Sequence, residues 1–380
     1  MLYRPFGKTG EELSILGFGA MRLPVIDGDV NRIDEEKAIP MIRAAIDQGV
    51  NYLDTAWSYH GENSEALCAK VMKDGYREKV NIATKLPSWL IKTRADMDHY
   101  LNKQLERLEE ERIDFYLLHT ISEAYWDIYK KEDYKDFLDN AKKDGKIKHV
   151  GFSFHDNIEL FKEIVDDYDW DFCQIQLNYL DENYQAGLEG MRYAAAKGMG
   201  IIIMEPLRGG MLAKTEMPDE LQSIWDQSET KRTAAEWALR YLWNHNEVGL
   251  ILSGMTTMEQ MDENVRTASD ASAGSLSKKE EGIVAQAKDY FHSKIRVDCT
   301  NCRYCMPCPQ GVYIPEIFWA YNHEALFDDF DKAKFWTTGF LSTDQRASNC
   351  NECGRCETLC PQGIPIRKHL KDVVERYEKV

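Results

Sequence analysis

Residues 80–119 read VNIATKLPSWLIKTRADMDHYLNKQLERLEEERIDFYLLH. Two short β-rich runs, Val80–Leu86 and Ile113–His119, flank an amphipathic segment, Thr93–Glu110. That order predicts strand, helix, strand. Six further runs share the character of the first two: Ser14–Ala20, Val50–Ala56, His149–Phe154, Phe172–Asn178, Gly200–Leu207 and Gly249–Met255. Most are continuously apolar rather than alternating, which suits parallel strands covered on both faces. Helical patterns lie between them at Asp34–Gln48, Tyr134–Lys143, Asn157–Val165, Asn183–Lys197, Thr230–Asn244 and Thr256–Thr267. In the first of these Ile39, Ile42, Ala45 and Ile46 share a face, Asp34 is placed as N-cap, Gly49 as stop, and Pro40 predicts a kink. Eight strands, each followed by a helix, over about 255 residues predict an α/β fold of the (β/α)₈ TIM barrel type. The alternative, a doubly wound open sheet, would show G-x-G-x-x-G after an early strand, and the chain has none.

The 380 residues carry 47 Lys and Arg against 64 Asp and Glu, a net charge of −17. Such a polyanion repels nucleic acid and anionic lipid, so no nucleic-acid partner is expected. Apolar residues make up 43% and aromatics 11%, enough for a sizeable core. No apolar run reaches about 18 residues, and the opening MLYRPFGKTGEE lacks the apolar core of a signal peptide. A reducing cytoplasm and no membrane association are therefore expected. There, clustered cysteines read as metal ligands before disulfides. Eight of the ten cysteines lie after residue 298. A small-residue hinge, ASAGSL at 271–276, precedes an amphipathic segment, Ser277–His292, with Ile283, Val284, Ala287, Tyr290 and Phe291 on one side. The expected domains are 1–275, the barrel, and 276–380, a linker helix with a small, mainly helical cysteine module.

Active sites of such barrels lie at the C-terminal ends of the strands. The second run ends in Asp54, with Tyr59 one short loop on; the third ends in Thr84 and Lys85; the fourth ends in His119. A tyrosine near pKa 10 is a poor acid at neutral pH unless a nearby Lys⁺ stabilises the phenolate. An aspartate keeps the lysine charged, and a histidine orients a carbonyl oxygen. The group suits protonation of a carbonyl oxygen while hydride arrives at carbon. Any one of these residues alone is more often a strand-end cap or a packed polar group than a catalyst; four complementary groups on three adjacent strand ends are a stronger signal. Trp57, Trp89, Met21 and Arg22 are placed near the mouth, as substrate contacts or as wall packing. Cys68 and Cys173 read as buried small hydrophobes.

The motifs DTAWSYHGENSE (54–65), ATKLP (83–87), YLLH (116–119), VGFS (150–153) and TTMEQMDEN (256–264), with the opening YRPFGKTGEELSILGFGAMRL, resemble the aldo-keto reductase family over about residues 2–270. The resemblance implies a catalytic tetrad of Asp54, Tyr59, Lys85 and His119, with Tyr59 as general acid. It implies an NAD(P)H cofactor held by Ser153 and Gln174 at the nicotinamide amide. Leu207, Arg208 and Gly209 would reach the pyrophosphate, and Ser253, Gly254, Glu263 and Asn264 the adenosine end. Two departures stand out. Phe154 and His155 follow Ser153 where the family often has Asn, and Gly254 and Gln260 stand where it often binds the 2′-phosphate of NADP with cations.

The tail holds Cys299-x₂-Cys302-x₂-Cys305-x₂-Cys308-Pro309 and Cys350-x₂-Cys353-x₂-Cys356-x₃-Cys360-Pro361. The second has the bacterial ferredoxin spacing for a [4Fe–4S] cluster; the first is one residue short before its fourth cysteine. In that pattern the fourth cysteine serves the other cluster. One cluster would take Cys299, Cys302, Cys305 and Cys360, and the other Cys350, Cys353, Cys356 and Cys308. Zinc is the alternative for paired C-x₂-C units. Pro315–Trp336 is helix-like and aromatic, so the tail resembles helical two-cluster ferredoxin modules fused to redox enzymes. Three functions follow: a reductase of an aldehyde or ketone with NAD(P)H (or the reverse oxidation of an alcohol), an electron-transfer enzyme that couples the clusters and a redox partner protein to substrate or flavin chemistry, although no flavin motif is present, or a non-catalytic redox sensor.

Overall fold

The computed structural model describes residues 1–379. An antiparallel hairpin, β1 (Tyr3–Pro5) and β2 (Glu12–Ser14), precedes the barrel. Eight parallel strands then close on themselves in chain order: β3 (Leu16–Gly19), β4 (Tyr52–Asp54), β5 (Asn81–Leu86), β6 (Ile113–Ile121), β7 (Ile147–Phe154), β8 (Phe172–Gln176), β9 (Gly200–Met204) and β10 (Leu250–Ser253). The last pairs with the first, Ile251 opposite Leu16. The chain is thus a TIM barrel, as the eight apolar runs predict. Closure removes both sheet edges, and the strands need apolar residues on both faces because helices cover the outside. The barrel interior is filled by Phe6, Leu13, Tyr52, Phe115, Leu117, Phe172, Ile202 and Leu250. Phe6 comes from the hairpin loop and packs edge-on against Phe115, with ring centroids 5.7 Å apart.

The predicted helices form at Glu35–Asp47, Arg94–Leu108, Tyr134–Lys143, Ile158–Asp167, Gly187–Ala196, Ala234–Trp243 and Met258–Thr267. Pro40 does not interrupt the first: it lies on the exposed face, and Ala38, Met41, Ile42, Ala45 and Ile46 are the buried residues. Up to residue 275, three helices fall outside the predicted set, Ser64–Val71, Glu123–Lys131 and Asp219–Trp225. They are short, so periodicity carries little signal over their length.

The chain divides into two compact units, and not at a single point. The first comprises Met1–Pro206 and Ala235–Leu276; the second comprises Leu207–Ala234 together with the chain from Ser277 onward. The sequence reading assigns the whole of 1–275 to the barrel domain, so Leu207–Ala234 is the difference. No composition change marks it; its grouping is tertiary. Within the second unit Arg232 pairs with Glu280, and Leu221 and Trp225 are buried on the helix Asp219–Trp225, which packs on the helix Lys278–Lys294. That longer helix has a capping box, Ser277 with Glu280, and buries Ile283, Val284, Ala287, Tyr290 and Phe291. The remaining elements are the helices Ile314–Phe327, Phe330–Lys334, Arg355–Thr358 and Ile366–Val373; no strand follows Ser253 among the described residues. Val312, Ile317, Phe318, Leu341, Leu370, Val373 and Tyr377 form a core against which six of the tail cysteines pack. Glu324 is buried there among Arg296, Arg376 and Tyr377, and the Arg376 guanidinium holds its carboxyl down at about 2. Among the described residues no helix is long and apolar enough to cross a membrane.

Candidate active site and metal centre

Asp54 is the last residue of β4 and Lys85 the penultimate residue of β5. The Lys85 Nζ lies 2.7 Å from both Asp54 carboxylate oxygens and donates to the Thr55 carbonyl at 2.9 Å. Both side chains are buried. Burial pushes the Asp54 carboxyl up and the Lys85 amine down, and each is pulled back by the other. A buried network fixes the lysine's strand from behind: Gln104 donates to the Lys85 carbonyl at 3.0 Å and to Glu65, which also accepts from Thr84 at 2.6 Å.

The Lys85 Nζ stands 5.1 Å from the centroid of the Tyr59 ring, and the His119 ring lies 6.3 Å from it, centroid to centroid. The four residues expected together are therefore together. The electrostatics differ from expectation. Burial, with Asp54 and then Glu205 adding to it, raises the Tyr59 phenol well above its usual value; Arg22 opposes them. The lysine's charge is already balanced by Asp54, so it does not bring the phenol down. Tyr59 is held protonated, the donor form. His119 is pushed well below the usual histidine range by burial, with Lys85 and His155 contributing. It is a neutral imidazole at pH 7.

His119 owes its aim to a register shift in β6 between Leu118 and Ile121, where Thr120 adopts φ 52°. A β-branched residue with positive φ is strained, and such strain gathers at functional positions. The Thr120 N–H donates to Ser153 Oγ at 2.7 Å, and Ser88 Oγ donates to the His119 carbonyl. Trp89 packs 5.2 Å from the His119 ring, whereas Trp57 is wall: the Arg107 guanidinium lies 3.5 Å over it and Tyr100 packs at 4.9 Å. Glu205, just past β9, and His155, just past β7, act on the same groups. The only sequence signal for them is their place at strand ends. Cys68 and Cys173 are fully buried, and burial pushes the Cys68 thiol up to about 12.

Ser153 and Gln174 are buried on the neighbouring strands β7 and β8, directly paired in register. Gln174 Nε2 contacts Met204 sulfur at 3.4 Å, and its Oε1 is a buried acceptor with no donor. Phe154 points the other way, onto Phe161. Ser253 ends β10, where Asn264 donates to its hydroxyl at 3.0 Å; Glu263 is half-buried beside it in sequence. Gly254 is crowded: a Cβ there would meet the Arg22 stem at 3.2 Å. Gln260 is occupied in accepting from the Thr256 N–H at 2.9 Å. Leu207, Arg208 and Gly209 belong to the second unit, in a turn in which Arg208, Gly209 and Gly210 all have positive φ.

All ten cysteines are free thiols. Cys305, Cys308, Cys350, Cys353 and Cys356 line one small pocket, with Pro309, Ile314, Arg355, Arg367 and Leu370 around it. Burial pushes the Cys305 thiol up to about 12, and Cys299, Cys360 and Cys356 act on it in that order. Cys302 is half-buried in the same segment as Cys299 and Cys305. Among the described residues no three His, Cys, Asp or Glu side chains gather tightly enough to hold a single metal ion. A tetrahedral zinc with bonds near 2.3 Å needs thiolates about 4 Å apart; a four-iron cluster spreads its thiolates over its corners.

A family model described as the aldo/keto reductase family matches residues 15–281. The chain belongs to that family. A second model, a 4Fe-4S dicluster domain, matches residues 298–365 of this aldo/keto reductase. It is 26% identical over 287 residues to the L-galactose dehydrogenase of Arabidopsis thaliana, covering 70% of this chain and 88% of that one. It is 26% identical over 305 residues to the NADH-specific methylglyoxal reductase of Escherichia coli, covering 69% and 91%. Among solved structures, the holo form of an aldo-keto reductase from Bacillus halodurans superposes with a TM-score of 0.64 at 25% identity, covering 76% of this chain and 96% of that one. The protein is thus an oxidoreductase of the aldo-keto reductase type fused to an iron–sulfur domain.

Proposed function

We propose that the enzyme reduces an aldehyde or ketone with a nicotinamide cofactor, or oxidises the matching alcohol. The observation that carries this reading is a protonated Tyr59 facing a neutral His119, with the Lys85–Asp54 pair at its ring. Tyr59 donates its proton to the carbonyl oxygen as negative charge develops there. Lys85 then stabilises the phenolate left behind, which a balanced ground-state pair does not preclude, because the charge appears only as the proton leaves. His119 orients the carbonyl oxygen through an imidazole N–H. The bound nicotinamide supplies a two-electron hydride. Ser153 and Gln174 hold its carboxamide: the Gln174 Oε1 acceptor lacks a donor, and an amide N–H provides one. Leu207, Arg208 and Gly209 reach the diphosphate, and Ser253, Gly254, Glu263 and Asn264 the adenosine end. NADH is the preferred form, since neither Gly254 nor Gln260 offers a cation to a 2′-phosphate. An NADPH affinity tenfold above that for NADH would reverse this assignment. Tyr59→Phe is expected to lower turnover by about 10²–10⁴-fold with NADH affinity nearly unchanged; undiminished turnover removes Tyr59 as the acid.

The tail takes two [4Fe–4S] clusters on the sets Cys299, Cys302, Cys305, Cys360 and Cys350, Cys353, Cys356, Cys308. Cys308, Cys350, Cys353 and Cys356 all line one pocket, beside Cys305 of the other set, which supports the second set, and the action of Cys299 and Cys360 on Cys305 supports the first. Cys353 is exposed, which suits electron exchange with a redox partner protein. A cytoplasmic setting suits thiolate-bound iron.

A further inference from the structure

Tyr59 lies on the loop 55–63, between the end of β4 and the helix Ser64–Val71. Directly after it His60, Gly61 and Glu62 all have positive φ, at 52°, 59° and 72°. Two of the three are not glycine, and such a run persists only where its surroundings over-determine it. On one side His60 Nδ1 lies 2.7 Å from the Val30 carbonyl, and Asn63 donates to the Asn31 carbonyl at 3.1 Å. On the other side Arg107, in the last turn of the helix Arg94–Leu108, supplies the hold. Its guanidinium lies 3.5 Å over the Trp57 ring and pairs with Glu62 at 2.6 Å and with Glu65 at 3.3 Å. Trp57 is buried, and among the described residues its indole N–H has no acceptor. The ring is held through its contacts instead, with Arg107 on its face and Tyr100 edge-on at 4.9 Å.

We propose that Arg107 is a positioning residue for the general acid: its grip on Trp57, Glu62 and Glu65 fixes the loop on which Tyr59 meets the carbonyl oxygen. This rests on the reading that Tyr59 is the proton donor. The three partners lie on both sides of Tyr59 in the chain, so the phenol is braced from before and behind. One turn earlier on the same helix, Gln104 donates to the Lys85 carbonyl and to Glu65. A single helix therefore holds the strand end of the lysine and the loop of the phenol, with Glu65 common to both. Among the described residues Arg107 is also the one cation paired with Glu65, whose side chain is fully buried. Only an arginine covers an indole with a flat face while reaching two carboxylates at once; lysine keeps the charge without the fork. With the grip lost, the phenol is displaced from the oxygen it protonates, and a shift of about 1 Å costs up to about 10²-fold in rate.

The test is a double-mutant cycle on the full-length, cluster-loaded protein. It reads single-turnover hydride transfer from NADH to para-nitrobenzaldehyde, below the unfolding temperature of every variant. Arg107→Gln is expected to slow transfer by about 10–10²-fold with NADH affinity unchanged, and Arg107→Lys to fall between it and the wild type. In the Tyr59→Phe background, where there is no proton to aim, Arg107→Gln should slow the residual rate no further. A merely structural role would slow both backgrounds alike, and that result overturns the proposal, as does a wild-type rate in folded Arg107→Gln. Failure of the underlying reading looks different: Tyr59→Phe alone then transfers hydride as fast as the wild type. Should Arg107→Gln not fold, Arg107→Lys runs through the same cycle, and equal slowing in both backgrounds, or none in either, again overturns the proposal.

Discussion

Tyr59, His119 and His155 illustrate how burial sets protonation in this site. A phenol pushed up and an imidazole pushed down both remain neutral at pH 7, which leaves one donor and one orienting group in place without a net charge. His155 is buried on Gln185, 3.2 Å away, and burial lowers it to about 4. An unfolded histidine titrates near 6.5, so between those values the unfolded chain binds the proton and the folded one does not. The stability from this residue is present above pH 6.5 and is lost as pH falls toward 4, by about 3 kcal/mol at most. Thermal unfolding of the wild type and His155→Gln at pH 7 and pH 4.5 should show the gap between them shrinking in acid; an unchanged gap would show that His155 keeps an ordinary pKa.

At the level of elements, the hairpin β1–β2 matters because its loop delivers Phe6 into the barrel, where it meets Phe115 and Phe172. Phe6→Ala leaves a cavity among side chains already locked by the closed sheet, and is expected to cost about 3–5 kcal/mol. Denaturant unfolding checks this, and a loss below about 1 kcal/mol would mean the barrel floor collapses around the gap. The short β6 irregularity is the counterpart at the other end. One strained residue, Thr120, turns His119 toward Tyr59 and brings its own N–H to Ser153. Neither feature is visible as periodicity: a hairpin of three-residue strands and a one-residue shift are both too short to leave a pattern.

For the whole molecule, the difficulty is that a nicotinamide moves two electrons and a [4Fe–4S] cluster one. The structure offers a second way for the tail to matter, since the loop Leu207–Ala234 is packed with it. Anaerobically prepared protein is expected to contain about eight irons per chain and visible absorbance that dithionite partly bleaches. Zinc in place of iron would remove the cluster assignment. Removing the iron from still-folded protein then separates the roles. Turnover with NADH that persists at saturating cofactor but with a raised KM for it marks the clusters as supports; turnover that vanishes at any NADH concentration marks them as electron carriers.

The eight apolar runs and their helices were enough to read a barrel from the chain, because a parallel strand covered on both faces has no other economical pattern. The strand-end residues Asp54, Lys85 and His119 followed from the barrel, and the cysteine spacing from the geometry of a shared cluster. All of these are short-range facts, written within a few residues of one another. What tertiary structure alone decided is long-range. Tyr59 is raised rather than lowered because the closed site buries it and sets it near Asp54, which also pairs with Lys85, 31 residues from it in sequence. Arg208 belongs with Asp298, 90 residues away, and not with the barrel whose strand precedes it. Charge balance and packing partners depend on which segments meet, and no local window of sequence contains both sides of the contact.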